Sequence, residues 1–421
     1  MLMIDDMLGP KKSEPTKPVA AKISVERSEE EKESVQAPYV EPAEPEDISE
    51  EINQKEVPKK VKKPKKHLHI WPLSWSRKKK RLFTGLLVVA LLALIGGGVY
   101  WYHQNHLPKP AVAVTKATVV VAQPTTVASP LTGVQVTPDQ AKRAVTGVMI
   151  ENSPDARPQS GLNQAGVVYE AVAEGGITRF LALFQESNPS YVGPIRSSRP
   201  YYLDWLLPFD AAYAHVGGSP EALQQIKALH VKDLDQFANG SSYNRVSSRY
   251  APHNVYTSID RLYSLAQSKG YTTSTFTGFV RKPKENPVAV SDAKNIDFSI
   301  SAALYNPHYE YDAASNSYKR SEGGKPHIDE KSGAQLSPKV VIALVTPSAL
   351  ESDGTHNSYA TTGSGPMYVF QDGTVTQGTW KKDSRTAQFV FTNSSGQPYQ
   401  LNAGQTWISL VTSVGAIAYK P

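Results

Sequence analysis

The chain has 421 residues, 45 basic and 39 acidic side chains, a formal charge of +6 and no cysteine. Disulfides, thiolate metal sites, a cysteine nucleophile and a lipid-modified cysteine are thereby excluded, so packing alone must hold its cores. Residues 1–81 carry 18 of the basic and 15 of the acidic side chains, which leaves a nearly neutral 27 against 24 and argues against a nucleic-acid partner.

Residues 1–58 are rich in Glu, Pro, Lys and Ser and almost free of aromatics, a composition that cannot bury enough apolar surface to order itself. The run KKVKKPKK, Lys59 to Lys66, and the cluster Arg77 to Arg81 are expected to lie against anionic headgroups, each charge contributing about 1 kcal/mol. His67, His69, Trp71 and Trp75 between them read as an interfacial segment, with a metal-binding HLH as the alternative. We read 1–81 as a disordered cytoplasmic arm with basic juxtamembrane runs.

Leu82 to Tyr102 then offers about 21 residues without a charge, enough at about 1.5 Å each to cross a hydrocarbon core of about 30 Å. Basic residues before it and Tyr100, Trp101 and Tyr102 after it orient the span with the N-terminus in the cytoplasm and the rest outside. A cleaved signal peptide is the alternative, against which stands the length of the preceding arm. Residues 103–129, rich in Val, Ala, Thr and Pro, read as an extended spacer.

From 130 to 282 the pattern predicts an α/β or α+β domain. TGVMIEN (Thr146 to Asn152) is a short apolar strand. GVVYEAVAE and ITRFLALFQ, joined by Gly175 and Gly176, form a hairpin. AAYAHV runs into Gly217 and Gly218, after which Ser219 caps a helix that starts at Pro220 and reaches about His230. Thr257 and Asp260 mark a further helix, closed by Gly270. Arg281 to Asn295, with Pro283 and Pro287, is the expected boundary. From 296 to 421, FSISAALY, HYEYD, NSYKR, KVVIALV, PMYVF, TQGTW, AQFVFT and QTWISLV are short β-branched or aromatic runs between turn residues, so a mostly-β second domain is expected.

The densest polar constellation lies in the first of these. GPIRSSRPYYLDW puts Arg196 and Arg199 three apart around Ser197, before a Pro-started helix containing Asp204. Two guanidiniums on one turn make a fork for phosphate or carboxylate. Arg157, Arg179, Arg245 and Arg249 add further forks, and the helix start after Gly217, Gly218 and Ser219 offers backbone N–H groups to an anion. The alternative is that each arginine pairs with an acid such as Glu151, Glu170, Glu174 or Asp204 and only fastens loops. His215, in an apolar run, reads as a hydrogen-bonded core residue. His253, beside Asn254 in APHN, is either a base or ligand or else a turn anchor. His327 and Asp329 in HID are a weak metal signal. The G-x-S-x-G elbow is missing, so Ser197, Ser198 and Ser219 imply no serine hydrolase.

MIENSPDARPQSGL, VVYEAVAEGGITRFLALF, GPIRSSRPYYLDW, HVGGSPEA and APHNVYTS together resemble the YerB-like (DUF3048) family of bacterial envelope proteins. YEYDAASNSYKRSEGGKPHID, GSGPMYVFQDGTVTQGTWKK and LNAGQTWISL resemble its C-terminal partner. The resemblance implies an envelope location and no established activity; family members often look like lipoproteins, whereas this chain uses a helix. A weaker likeness, in the order of Arg196, Arg199 and AAYAHVGGSPEAL, is to LytR-CpsA-Psr phosphotransferases, which implies arginines gripping a polyprenyl pyrophosphate. Ser197 stands where that pattern has an aspartate.

Three functions follow as expectations. The first is a single-pass, outward-facing protein binding an anionic envelope ligand through Arg157, Arg179, Arg196, Ser197, Arg199, Gly217, Gly218, Ser219, Arg245, Arg249 and Asn254. The second is a phosphotransferase-like enzyme on lipid-linked glycans, with Asp204 or His253 as base and a divalent cation such as Mg²⁺. The third is a scaffold binding cell-wall polymer or protein, which an exposed Trp380 or Trp407 would favour.

Overall fold

The computed structural model describes residues 77–106 and 125–421. Residues 1–76 of the expected arm, the HLH segment among them, and most of the spacer lie outside the described residues, whereas 77–81 of that arm belong to a helix. Helix α1 (Arg77–His106) is continuous, and from Arg81 to His106 it is long and apolar enough to cross a membrane, its most apolar 18-residue stretch having a mean hydropathy of 2.4. It overruns the expected span at both ends, where no proline interrupts the chain between 77 and 106.

Beside three short two-stranded ribbons, Val127–Ala128 with Gln135–Val136, Asn244–Arg245 with Val255–Tyr256 and Ser348–Leu350 with Asn357–Tyr359, the remaining described residues are built on two large sheets. In chain order the strands are β1 (Thr146–Glu151), β2 (Val167–Glu174), β3 (Ile177–Phe184), β4 (Ala212–Ala214), β5 (Lys232–Asp233), β6 (Asn295–Phe298), β7 (Pro307–Asp312), β8 (Ser317–Glu322), β9 (Lys325–Pro326), β10 (Val340–Val345), β11 (Gly363–Gln371), β12 (Thr374–Lys382), β13 (Val390–Asn393), β14 (Thr406–Val411) and β15 (Ile417–Lys420). Three α-helices interrupt them, α2 (Pro200–Leu206), α3 (Pro220–Ala228) and α4 (Ile259–Ser268), and a shorter one, Pro138–Lys142, precedes β1.

Ten strands form one mixed sheet in the order β13-β12-β11-β10-β14-β2-β3-β1-β4-β5, and five form a second, β9-β8-β7-β6-β15. The two sequence segments expected as separate domains are therefore continuous in one sheet. The join is β14, which runs parallel to both β10 and β2 and sets Trp407 opposite Val168 and Ser409 opposite Glu170.

Strand alternation divides the large sheet into two apolar faces. Val148, Ile150, Val168, Phe180, Ala182 and Trp407 point to one, where Phe298, Tyr309 and Tyr318 of the small sheet and Ile259 and Leu262 of α4 cover them. Met149, Tyr169, Leu181, Ile342 and Ile408 point to the other, under Tyr202, Trp205 and Leu206 of α2 and Ile226 of α3. Covered on both sides, these central strands read as near-continuous apolar runs.

The local expectations are largely met. The β2–β3 hairpin turns on Gly175 and Gly176, both at positive φ, which glycine adopts without steric cost. Ser219 caps α3, its hydroxyl accepting the Ala222 N–H, and α3 ends at Ala228, short of His230. Helix α4 is capped by Ser258 rather than Thr257: the Ser258 hydroxyl accepts the Arg261 N–H, while the buried Thr257 donates to Ser242 O. In FSISAALY the strand stops at Phe298, and Ala303–Tyr305 is a 3-10 turn. The Ser301 N–H goes to Asn306 Oδ1 and its hydroxyl to Gly176 O, side-chain bonds that compete with a sheet ladder.

Candidate functional site

The end of β1 carries Glu151, a buried carboxylate at which three polar side chains meet. His253 Nδ1 lies 3.0 Å from both Glu151 oxygens, the Ser153 hydroxyl donates to Oε1 at 2.9 Å, and Arg196 Nε forms an ion pair with Oε1 at 3.2 Å. His253 is delivered by the 245–254 loop, which Arg249 fastens by donating to Asp155 O and Pro158 O. Arg196 is held on the other side, its N–H bonded to Met149 O.

With Nδ1–H on the carboxylate, His253 turns Nε2 outward, where Asp155 stands 4.0 Å away. Both Ser153 and Glu151 address Nδ1, so this is not the serine–histidine–acid relay, in which the serine and the acid occupy opposite ring nitrogens. It is an oriented imidazole with one nitrogen available, 19% exposed, beside a guanidinium 21% exposed.

The other predicted site residues separate. Arg196 and Arg199 form no fork: Arg196 turns to Glu151, whereas Arg199 turns to Glu174 and to Ser198 O. Arg179 donates to Glu174 at 3.0 Å and to the carbonyl of Ser197 at 2.8 Å. Arg157 is spent on Asn152, on Leu304 O and on Glu322, 3.2 Å away. Arg245 binds Asn254 Oδ1 and Gln236 Oε1. Ion pairs that fasten loops thus account for Arg157, Arg179 and Arg199, whose burial makes each guanidinium recruit a carboxylate or carbonyl, whereas the exposed Arg245 is held by side-chain amides alone. Arg196 differs: its pKa is lowered chiefly by burial, yet its two terminal nitrogens have no hydrogen-bond partner among the described residues.

The glycine loop before α3 does not cradle an anion either. Asp235 accepts the Gly217 N–H at 2.8 Å, and the Ser219 N–H goes to Ser198 O, so a carboxylate already stands there. Gly217 takes φ +58 and has Phe237 packed above it, while Gly218 lies against Ser198. His215 is the expected core residue, fully buried between Gly217 O and Asp233. Asp204 is far from any base role: Thr361 donates to it and Arg385 pairs with it, tying α2 to two loops of the second segment. Trp380 and Trp407 are both buried, with indole N–H groups bonded to Val345 O and Glu170, which removes them as an exposed aromatic patch.

Sequence reasoning missed a second polar centre, between the two sheets. Arg320 on β8 is fully buried. Its Nη2 donates to Glu170 at 2.8 Å and to Glu322 at 3.1 Å, its Nη1 meets His327 Nδ1, and its guanidinium lies 4.6 Å from the Trp407 ring centroid. His327 Nε2 reaches Gln159 Oε1 at 2.8 Å, and Gln159 and Asn152 continue the chain to Glu322. Burial, then the charges of Arg320 and Arg157, push the His327 pKa well down, so the ring is neutral, accepting at Nδ1 and donating from Nε2. Asp329 caps its own turn and accepts the Gly161 N–H, so HID is not a ligand pair. Tyr318, Arg320 and Glu322 share one strand face, but charges on an alternating strand look like a solvated face until the partner sheet is known.

Among the described residues, fold and site together define a protein with an apolar helix and a two-sheet body that carries an oriented histidine beside a carboxylate and an arginine with open terminal nitrogens. Residues 131–272 match the family described as protein of unknown function (DUF3048), N-terminal domain, and residues 296–408 match its C-terminal domain. The chain belongs to this YerB-like family. It is 33% identical over 302 residues to the Bacillus subtilis (strain 168) protein named "Putative lipoprotein YerB", covering 68% of this chain and 87% of that one. A crystal structure of YerB protein from Bacillus subtilis matches with a TM-score of 0.64 at 30% identity, covering 70% of this chain and all of that one. That relative supports a membrane-associated envelope protein. The likeness to LytR-CpsA-Psr phosphotransferases finds no counterpart at the site, since the two arginines that carried it bind different glutamates.

Proposed function

We propose that this chain is an envelope-associated binding protein that takes an acidic group, of the phosphate or pyrophosphate kind, at Arg196 with His253 beside it. The observation that carries the reading is that one carboxylate, Glu151, holds both His253 Nδ1 and Arg196 Nε, while the Arg196 terminal nitrogens have no hydrogen-bond partner among the described residues. Terminal guanidinium nitrogens present a planar pair of donors that suits two oxygens of a phosphate group. Lipid-linked glycans and cell-wall polymers present such groups. The basic cluster Arg77 to Arg81 before the apolar helix supports a single-pass topology with the N-terminal arm inside and the body outside.

A catalytic reading has one specific support: a carboxylate on Nδ1 and a free Nε2 are what an oriented general base needs. His253 would then be the base, and Asp204 would have no part.

Calorimetric titration of the full chain in detergent micelles with inorganic pyrophosphate tests the binding reading. Saturable binding is expected for the parent and for Arg245→Ala, and its loss for Arg196→Ala. Equal binding by the parent and Arg196→Ala, or none by a folded parent, overturns it. If pyrophosphate is hydrolysed during the titration, His253→Gln separates the two readings by retaining binding while losing turnover.

A further inference from the structure

A cleft of about 450 Å³ opens between the loop after β1 and the β8–β9 hairpin, within the range of sites that hold small ligands. Its walls are largely aliphatic, made by Pro154, Pro158, Leu304, Pro326 and Ile328, with no Trp, Tyr or Phe among the lining residues against which a sugar could stack. Glu322 lines it, and although this side chain is almost wholly buried, its Oε2 carries no hydrogen bond among the described residues; Arg157 lies 3.2 Å away as an ion pair only. His327 Nδ1 is 3.8 Å from the same oxygen, so Oε2 has charge compensation from Arg157 but a lone pair left for a further donor.

The charges nearby define that donor. Arg157 and Arg320 balance Glu170 and Glu322, and His327 is neutral, so an ammonium would add an uncompensated charge whereas a neutral N–H would not. Directly across the β8–β9 ladder from Glu322 stands Lys325, exposed and with no ion pair or hydrogen bond among the described residues. Paired strand positions lie about 5 Å apart at Cβ, so a neutral N–H acceptor and an open ammonium are within one residue's reach of each other.

We propose that this cleft binds the C-terminal residue of a peptide with a small aliphatic side chain: the amide N–H donates to Glu322 Oε2, the terminal carboxylate meets Lys325, and the side chain rests on the proline, leucine and isoleucine walls. The site shares no residue with the Arg196 cluster and does not rest on the reading given for it.

The test uses the full chain in detergent micelles with N-acetyl-Ala-Leu and its C-terminal amide, followed by calorimetry and saturation-transfer NMR. The acid is expected to bind saturably and the amide about tenfold more weakly, a difference that Lys325→Ala should erase by weakening the acid alone. Leu304→Trp, which fills the cleft from its exposed rim, should abolish both. Equal affinity for acid and amide, no binding of the acid at millimolar concentration, or indifference to Lys325→Ala overturns the proposal. The amide probe and the exposed Lys325 position keep the test decisive should Leu304→Trp fail to fold.

Discussion

Arg320 Nη2 lies 2.8 Å from Glu170 Oε1, with both side chains fully buried and 150 positions apart in the chain. The pair crosses the interface between the two sheets, and Trp407 on the joining strand donates to the other Glu170 oxygen at 2.9 Å. Removing one partner leaves a buried charge without compensation. Glu170→Ala is expected to lower unfolding stability by about 3–5 kcal/mol, whereas Glu170→Leu combined with Arg320→Met should cost less than the sum of the single changes. Urea unfolding of the parent, Glu170→Leu, Arg320→Met and the double variant measures the coupling.

His327 supplies a pH dependence of definite sign. Its folded-state pKa lies well below 6.5, so the unfolded chain binds the extra proton and stability present above about pH 6.5 is lost as the pH falls. One such group changes stability by at most about 1.4 kcal/mol per pH unit, or about 2 kcal/mol between pH 6.5 and 5. His327→Gln, which keeps a donor for Gln159, should remove that slope in unfolding curves taken across the window.

Helix α4 offers a smaller test. Ser258→Ala removes the side chain that accepts the Arg261 N–H and should cost about 1 kcal/mol, seen as a lower urea midpoint at unchanged slope.

Much of the layout was legible from the residues. The apolar helix, the Gly175–Gly176 hairpin, the Ser219 cap and the strand-rich second segment all follow from composition and local turn chemistry, which depend on neighbours in sequence. What was illegible depends on pairing across distance. Nothing local in QTWISLV says that it will lie parallel to VVYE and join the two segments into one sheet. The same holds for the arginines: Arg157, Arg179, Arg196 and Arg199 look alike in sequence, and only placement beside Glu322, Glu174 or Glu151 decides which keeps open nitrogens. Glu151 itself carried a signal, as an acid ending the apolar run TGVMI, because a charge at the end of a buried strand must find partners.

The binding reading rests on where an acidic group settles, and the most direct measurement is a crystal structure of this protein grown with pyrophosphate. The account predicts the anion within hydrogen-bond distance of the Arg196 terminal nitrogens and His253 Nε2, with Glu151 still holding His253 Nδ1. Pyrophosphate bound elsewhere, or an Arg196 side chain that stays unoccupied at saturating concentration, would contradict it.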